Sequence, residues 1–240
     1  EDNYFQSSVI DFDKDRSDRS TYKLLGGSIG FYGSTLNTRQ YATKGYLEKL
    51  IAQVFTGRER FEPGNPQEGY SPSPQERQSW LQISYMKEAY HTMGPKFTLG
   101  WMAEALYSSK NFSENYTATM MQAGEFAPTP HSKLMYNEAF RANQYVAAGI
   151  KPIYVLNDMF QFRTEFYGFT PIFPIKKNAL NKAYYGKAFS RFEYMGEVSV
   201  ICHLPFGAIS AYVNHYSSPR REWNVGMTIG WQLFNYRFVE

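Results

Sequence analysis

Few residues in this sequence stand where chemistry would place them. Gly26-Gly27-Ser28-Ile29-Gly30 matches G-x-S-x-G, the elbow that presents the nucleophile of serine hydrolases. That elbow requires a sharp strand-to-helix turn, so that the hydroxyl projects above a sheet. Here Tyr22-Lys23-Leu24-Leu25 precedes and Phe31-Tyr32-Gly33 follows, which continues a glycine-rich strand and offers no helix. No Asp-Gly dipeptide occurs, and the scattered Asp and His residues outline no triad. The glycines are therefore expected to let a strand bend or pack closely. No two of His91, His131, His203 and His215 have metal-ligand spacing, and each is expected at a strand end or in a loop. Arg163 and Glu165 share one face of a strand. They could act on a substrate in a pore, but a structural ion-pair network is the expectation. Cys202, the single cysteine, excludes an intrachain disulfide and a cysteine-based zinc site. It falls on an apolar face and is expected to be an inert small hydrophobe. No catalytic residue, cofactor or metal is expected in the chain.

Composition narrows what could position these residues. Aromatics are 18% of the 240 residues, with 20 Tyr and 19 Phe. A soluble domain would have to bury most of those rings, whereas a membrane barrel can hold them in two interfacial girdles. The mean hydropathy is polar, −0.49. No apolar run reaches the ~18 residues that a membrane helix needs. A barrel escapes that test because only every second residue faces lipid. Basic and acidic residues number 25 and 22 and are spread along the chain, so a nucleic-acid partner is not expected.

The strongest pattern is alternation with period 2. Phe160, Phe162, Thr164 and Phe166 alternate with Gln161, Arg163 and Glu165. Phe192, Tyr194, Gly196, Val198, Val200 and Cys202 alternate with Glu193, Glu197, Ser199 and His203. Trp223, Val225, Met227, Ile229, Trp231 and Leu233 alternate with Asn224, Gly226, Thr228, Gly230 and Gln232. The segments are longer than the ~5–6 residues of an ordinary soluble strand. They match the ~9–11 tilted residues that cross a hydrocarbon layer. Arg163, Glu165, Glu193 and Glu197 would then form a lumen network, since a wet interior tolerates such a face.

About ten strands are expected, at 4–13, 21–33, 43–57, 78–91, 96–109, 142–156, 160–171, 190–203, 208–217 and 222–233. Residues 45–56 also fit a helical stripe; strand–turn–strand signals on both flanks favour a strand. Short connections (91–95, 157–159, 204–208) alternate with long ones (57–79, 110–141, 171–190). This is the outer-membrane pattern of short periplasmic turns and long external loops, with the short 217–221 connection as the exception on the external side. The fold class expected is all-β: one antiparallel transmembrane β-barrel spanning 1–240, located in the bacterial outer membrane.

The last strand contains Asn224, Gly226, Ile229 and Trp231 in the order polar, x, Gly, x, x, hydrophobic, x, aromatic. This resembles the signal read by the barrel-assembly machinery, an expected partner together with outer-membrane lipid; any amphipathic strand with two glycines would also produce it. Pro128-Thr129-Pro130-His131-Ser132-Lys133, the run from Glu138 to Gly149, and Phe160 to Tyr167 resemble the C-terminal barrel of patatin-like phospholipases of the Bacteroidota. So does the closing run from Tyr185-Gly186 through Pro205-Phe206-Gly207 to Trp231–Asn235. The Pro205–Gly207 turn is shared more widely with surface-antigen-type barrels. The resemblance covers roughly 20–240. It implies a non-catalytic barrel that anchors, or helps export, a lipid acyl hydrolase domain bearing a Ser–Asp dyad. That domain's Asp-Gly motif and α/β region are absent here, so no catalytic residue carries over. Family barrels are usually larger than ten strands, which implies a possible place at the C-terminal end of a longer protein. A transport or assembly barrel without an enzyme is the first alternative; the second is an enzyme built into the barrel wall that uses a Ser and a His, for which the sequence offers no convincing pair.

Overall fold

The computed structural model describes residues 1–6, 15–65, 77–205, 207–218 and 223–230. Ten strands form one antiparallel sheet. In sheet order they are β1 (Asp2–Tyr4), β2 (Asp18–Ser34), β3 (Gly45–Glu62), β4 (Arg77–Thr92), β5 (Phe97–Ser108), β8 (Gln144–Val155), β9 (Phe160–Pro171), β12 (Glu193–Leu204), β13 (Gly207–Tyr216) and β14 (Trp223–Gly230). Between β5 and β8 the chain forms helix α1 (Tyr116–Gln122), two single 3-10 turns (Ser132–Leu134 and Glu138–Phe140), and the paired strands β6 (Gly124–Glu125) and β7 (Arg141–Ala142). Between β9 and β12 a small hairpin pairs β10 (Ile175–Lys177) with β11 (Ala183–Tyr185).

Every sheet neighbour is also the next long strand in sequence, so the sheet is an up-and-down meander. Residues 45–56 are strand, not helix: β3 pairs along its length with β2 and with β4. The helical stripe arose because β3 presents apolar residues to both faces. Phe55 is buried on one, while Leu50 and Val54 are exposed on the other. The first strand expected at 4–13 is short, Asp2–Tyr4, and residues 7–14 lie outside the described ones. Leu233 and Trp231 also lie outside them.

The two faces of the sheet differ sharply. On β9, Gln161, Arg163, Glu165, Tyr167 and Phe169 are buried, while Phe160, Phe162 and Phe166 are 37%, 44% and 54% exposed. One register row runs Tyr154–Phe162–Val200–Ala211–Met227 across five strands, all on the exposed face. The next runs Thr164–Val198–Val213–Val225. With Leu25, Ile29, Phe31, Val54, Leu81 and Ile150, these rows make the outer face a broad apolar surface. Soluble monomers rarely expose contiguous apolar patches beyond a few hundred Å².

The inner face is covered from both ends. The 109–143 connection lays Phe126 against Phe169, with ring centroids 5.9 Å apart, and against Tyr145 at 6.2 Å. Phe140 contacts Phe169 and Tyr216. Asn115 caps α1 by accepting from the Ala118 amide at 2.8 Å, and its amide group donates to Tyr4 Oη. Arg141 ties the loop to itself, donating to the carbonyls of Met121 and Ala123 and pairing with Glu125 at 2.7 Å. From the opposite end, the β2–β3 connection curls under the sheet. Asn37 Oδ1 accepts from the amides of Thr43 and Lys44, which fixes the turn. The turn then touches β9 and β13, far along the strand order, which requires the sheet to curl around it.

Among the described residues the sheet is not closed. β1 covers only Asp18–Ser20 of β2, and no ladder joins the free edges of β2 and β14. Gly26, Ser28, Gly30 and Tyr32, which belong to the inner face, are exposed beside that edge. Aromatic rings lie over glycines directly across the ladder. A Cβ on Gly149 would stand 2.1 Å from Tyr167 Cδ1, and one on Gly226 2.4 Å from Tyr212 Oη. These glycines let the rings lie flat along the inner wall.

Candidate functional site: the polar networks of the inner face

The residues expected to form one lumen network form three. Arg163 is 3% exposed and anchors the first. Its guanidinium meets Glu165 Oε1 at 2.9 Å from Nη2 and 3.0 Å from Nε. Its Nη1 donates to the Ala42 carbonyl at 2.9 Å, and Nη2 reaches Tyr90 Oη at 3.4 Å. Tyr167 donates to the second oxygen of Glu165 at 2.8 Å. Lys151 pairs with Glu88 at 3.2 Å, and Tyr90 donates to Glu88. Two cations and two carboxylates thus compensate one another on a buried wall. That satisfies the requirement for buried charges.

The second network surrounds Glu197 on β12. His131 Nδ1 lies 2.9 Å from Glu197 Oε1, and Thr129 donates to Glu197 Oε2 at 3.1 Å. His131 Nε2 lies 3.3 Å from Ser210 Oγ on β13, and the imidazole stacks on Tyr212 with centroids 3.5 Å apart. Serine, histidine and carboxylate therefore stand in the order of a hydrolytic triad. The surroundings are not those of a nucleophile. Ser210 is fully buried, its oxygen accepts from Tyr41 Oη at 2.9 Å, and it lies 2.6 Å from Thr228 Oγ1. Chemically the chain is a tether that fastens the 109–143 connection and the β2–β3 turn to the far strands. Sequence reasoning treated His131 as a loop residue and missed this link. Its one sequence signal is the polar phase of Ser210 on β13, since the partners lie 66 and 79 residues apart.

Glu193 belongs to neither network; it accepts from Arg191 Nε at 2.8 Å and from Ser217. Ser28 lies inside β2 opposite Gln53, with strand on both sides and no helix to form an elbow. On β14, Asn224 is half-buried opposite Asn214, Gly226 sits under Tyr212, and Ile229 is 67% exposed on the outer face. Trp231, the last position of the expected assembly signal, lies outside the described residues. Cys202 is half-buried and unpaired in a disulfide. Among the described residues no group of three or more His, Cys, Asp or Glu could hold a metal ion.

The covering connection also buries a lysine. Lys110 is 8% exposed, over the rings of Trp80 and Tyr22 at 5.0 and 5.4 Å, and donates to Gln122 at 3.2 Å. Desolvation pushes it down to about 8, partly opposed by Glu59 and Asp2. A lysine depressed in the folded state binds fewer protons there than when unfolded, so stability rises with pH between about 8 and 10.5. The rise attributable to Lys110 is on the order of 3 kcal/mol. Lys110→Met is expected to flatten the pH dependence of the urea midpoint in that window. An unchanged slope would show that Lys110 is solvated.

No protein-family model, curated protein or solved structure matches this chain. Its class rests on its own geometry: a mainly β protein built on one ten-stranded antiparallel sheet.

Proposed function

We propose that the chain is an outer-membrane β-barrel, or the barrel part of a longer protein, that is itself non-catalytic. The observation that carries this is the outer apolar surface, continuous in register from β8 to β14, on the back of strands whose Lys151, Arg163, Glu165, Glu193 and Glu197 are buried on the inner face. That distribution is inverted for a soluble sheet and suits lipid outside with a polar interior. No described helix is long and apolar enough to cross a membrane, so strands would do the crossing. Closure would bring together the free edges of β2 and β14.

The covered inner face supports an anchoring role over an open pore. Together with the sequence resemblance, it leads us to assign the barrel to a patatin-type lipid acyl hydrolase domain that it anchors or helps export. Outer-membrane lipid and the barrel-assembly machinery are its partners. A transport or assembly barrel with no enzyme is the second reading, favoured by the edges of β2 and β14, which are unpaired with one another among the described residues.

Purified chain, refolded with phosphatidylcholine vesicles, is expected to float with them, resist alkaline carbonate extraction and show heat-modifiable gel mobility. It is expected to release no fatty acid, with Ser28→Ala and Ser210→Ala indistinguishable from the parent. A chain that stays soluble without lipid or detergent would remove the membrane assignment. Hydrolysis lost in Ser210→Ala would turn the tether into an active site.

A further inference from the structure

We infer that the outer face carries a phosphate-binding row for anionic lipid headgroups at the rim of the apolar surface; this rests on the membrane reading. Lys23 on β2 stands directly opposite Arg58 on β3, and Arg58 directly opposite Arg77 on β4. All three are exposed and share the face of Leu25, Val54 and Leu81. Neighbouring strands lie ~4.8 Å apart, so three positive charges stand abreast. Like charges directly opposite one another destabilise a sheet. Nothing in the described protein relieves this. Arg60 is held by Glu62 at 2.8 Å and Arg19 by Glu1 at 2.8 Å. Arg77 donates to Thr56, while Lys23 and Arg58 have no acidic or hydrogen-bonding partner among the described residues.

Position identifies the occupant. One step along the outer face from this row, towards the short-turn end, is Leu25 with Thr56, and the next is Val54 with Leu81. The step is two residues, about 6–7 Å along a strand. The cations therefore sit where an apolar belt would give way to headgroups, at the end of the long β3–β4 and β5–β8 connections. A cavity of about 260 Å³ lined by Arg19, Thr21, Lys23, Arg58, Arg60 and Glu62 opens beside the row. A lipid whose tails lie on Leu25 and Val54 would bring its phosphate to Lys23 and Arg58. Basic clusters at a membrane surface gain ~1 kcal/mol per residue from anionic lipid.

The test compares the full chain with Lys23→Gln/Arg58→Gln/Arg77→Gln, each folded in phosphatidylcholine nanodiscs with or without phosphatidylglycerol. Native mass spectrometry counts retained lipid, and thermal unfolding reports stability. The parent is expected to retain phosphatidylglycerol about tenfold over neutral lipid and to melt higher in its presence. The triple variant is expected to lose both effects yet melt higher than the parent in phosphatidylcholine alone, because the repulsion is gone. Charge-preserving Arg58→Lys should keep the enrichment. Equal enrichment in parent and triple variant, or none in either, overturns the site while insertion into neutral bilayers leaves the membrane reading intact. Failure to enter either bilayer overturns both. Full displacement by inorganic phosphate at matched concentration would show a free-anion site and overturn the lipid assignment.

Discussion

Arg163→Met is expected to destabilise the protein by roughly 3–5 kcal/mol, because removing one partner strands a buried charge on the other. Glu165 would keep only the Tyr167 hydroxyl as a direct partner, with the Lys151 ammonium nearby. The Ala42 carbonyl would lose its donor as well. Arg163→Met/Glu165→Met removes both charges in nearly the same volume. It is expected to recover most of the loss, since a well-packed apolar pair often equals a buried ion pair. Urea unfolding in detergent, followed by tryptophan fluorescence, measures both variants. A single variant as stable as the parent would mean that water reaches Arg163 and that the inner face is not packed as described.

Val200→Lys carries the second large effect. Val200 and Leu180 are both exposed apolar residues, the first at the centre of the outer face and the second in the β10–β11 hairpin. A lysine at a bilayer midplane costs about 2–4 kcal/mol, and one in water costs almost nothing. In refolding into vesicles, Val200→Lys is expected to shift the equilibrium by that amount, and Leu180→Lys to leave it unchanged. If both are silent, the outer face looks onto water and the barrel proposal is lost.

The strands that alternate cleanly were legible in the sequence. Those expected at 160–171, 208–217 and 96–109 lie within a residue of Phe160–Pro171, Gly207–Tyr216 and Phe97–Ser108. Period 2 is a local property and needs no knowledge of partners. β2 begins at Asp18 and β3 runs to Glu62, beyond their expected ends, because Arg58, Arg60 and Glu62 continue the ladder with polar residues that hydropathy ignores. The sequence of 110–141 carries no periodicity and reads as loop. Helix α1 is about two turns long, held by the Asn115 cap and by packing on Ile175, neither of which appears as periodicity. Glu165 and Glu197 share one expectation and directly opposed positions. Their separation into two networks depends on His131, which arrives from a distant connection.

The β2–β3 turn also sets a constraint on the order of assembly. Bonds leave it for the second half of the chain, to Gln161, Arg163 and Ser210, spanning 120, 121 and 169 residues. Such distant closures are slow to find, because loop entropy is lost before any contact rewards it. Gln161, Arg163 and Ser210 on β9 and β13 each lack one partner until the β2–β3 hairpin is in place. The hairpin therefore acts as a template for strands that follow it in the chain. Without the hairpin Arg163 keeps its pair with Glu165 but its Nη1 loses the Ala42 carbonyl, and a buried donor left unsatisfied costs about 1–3 kcal/mol.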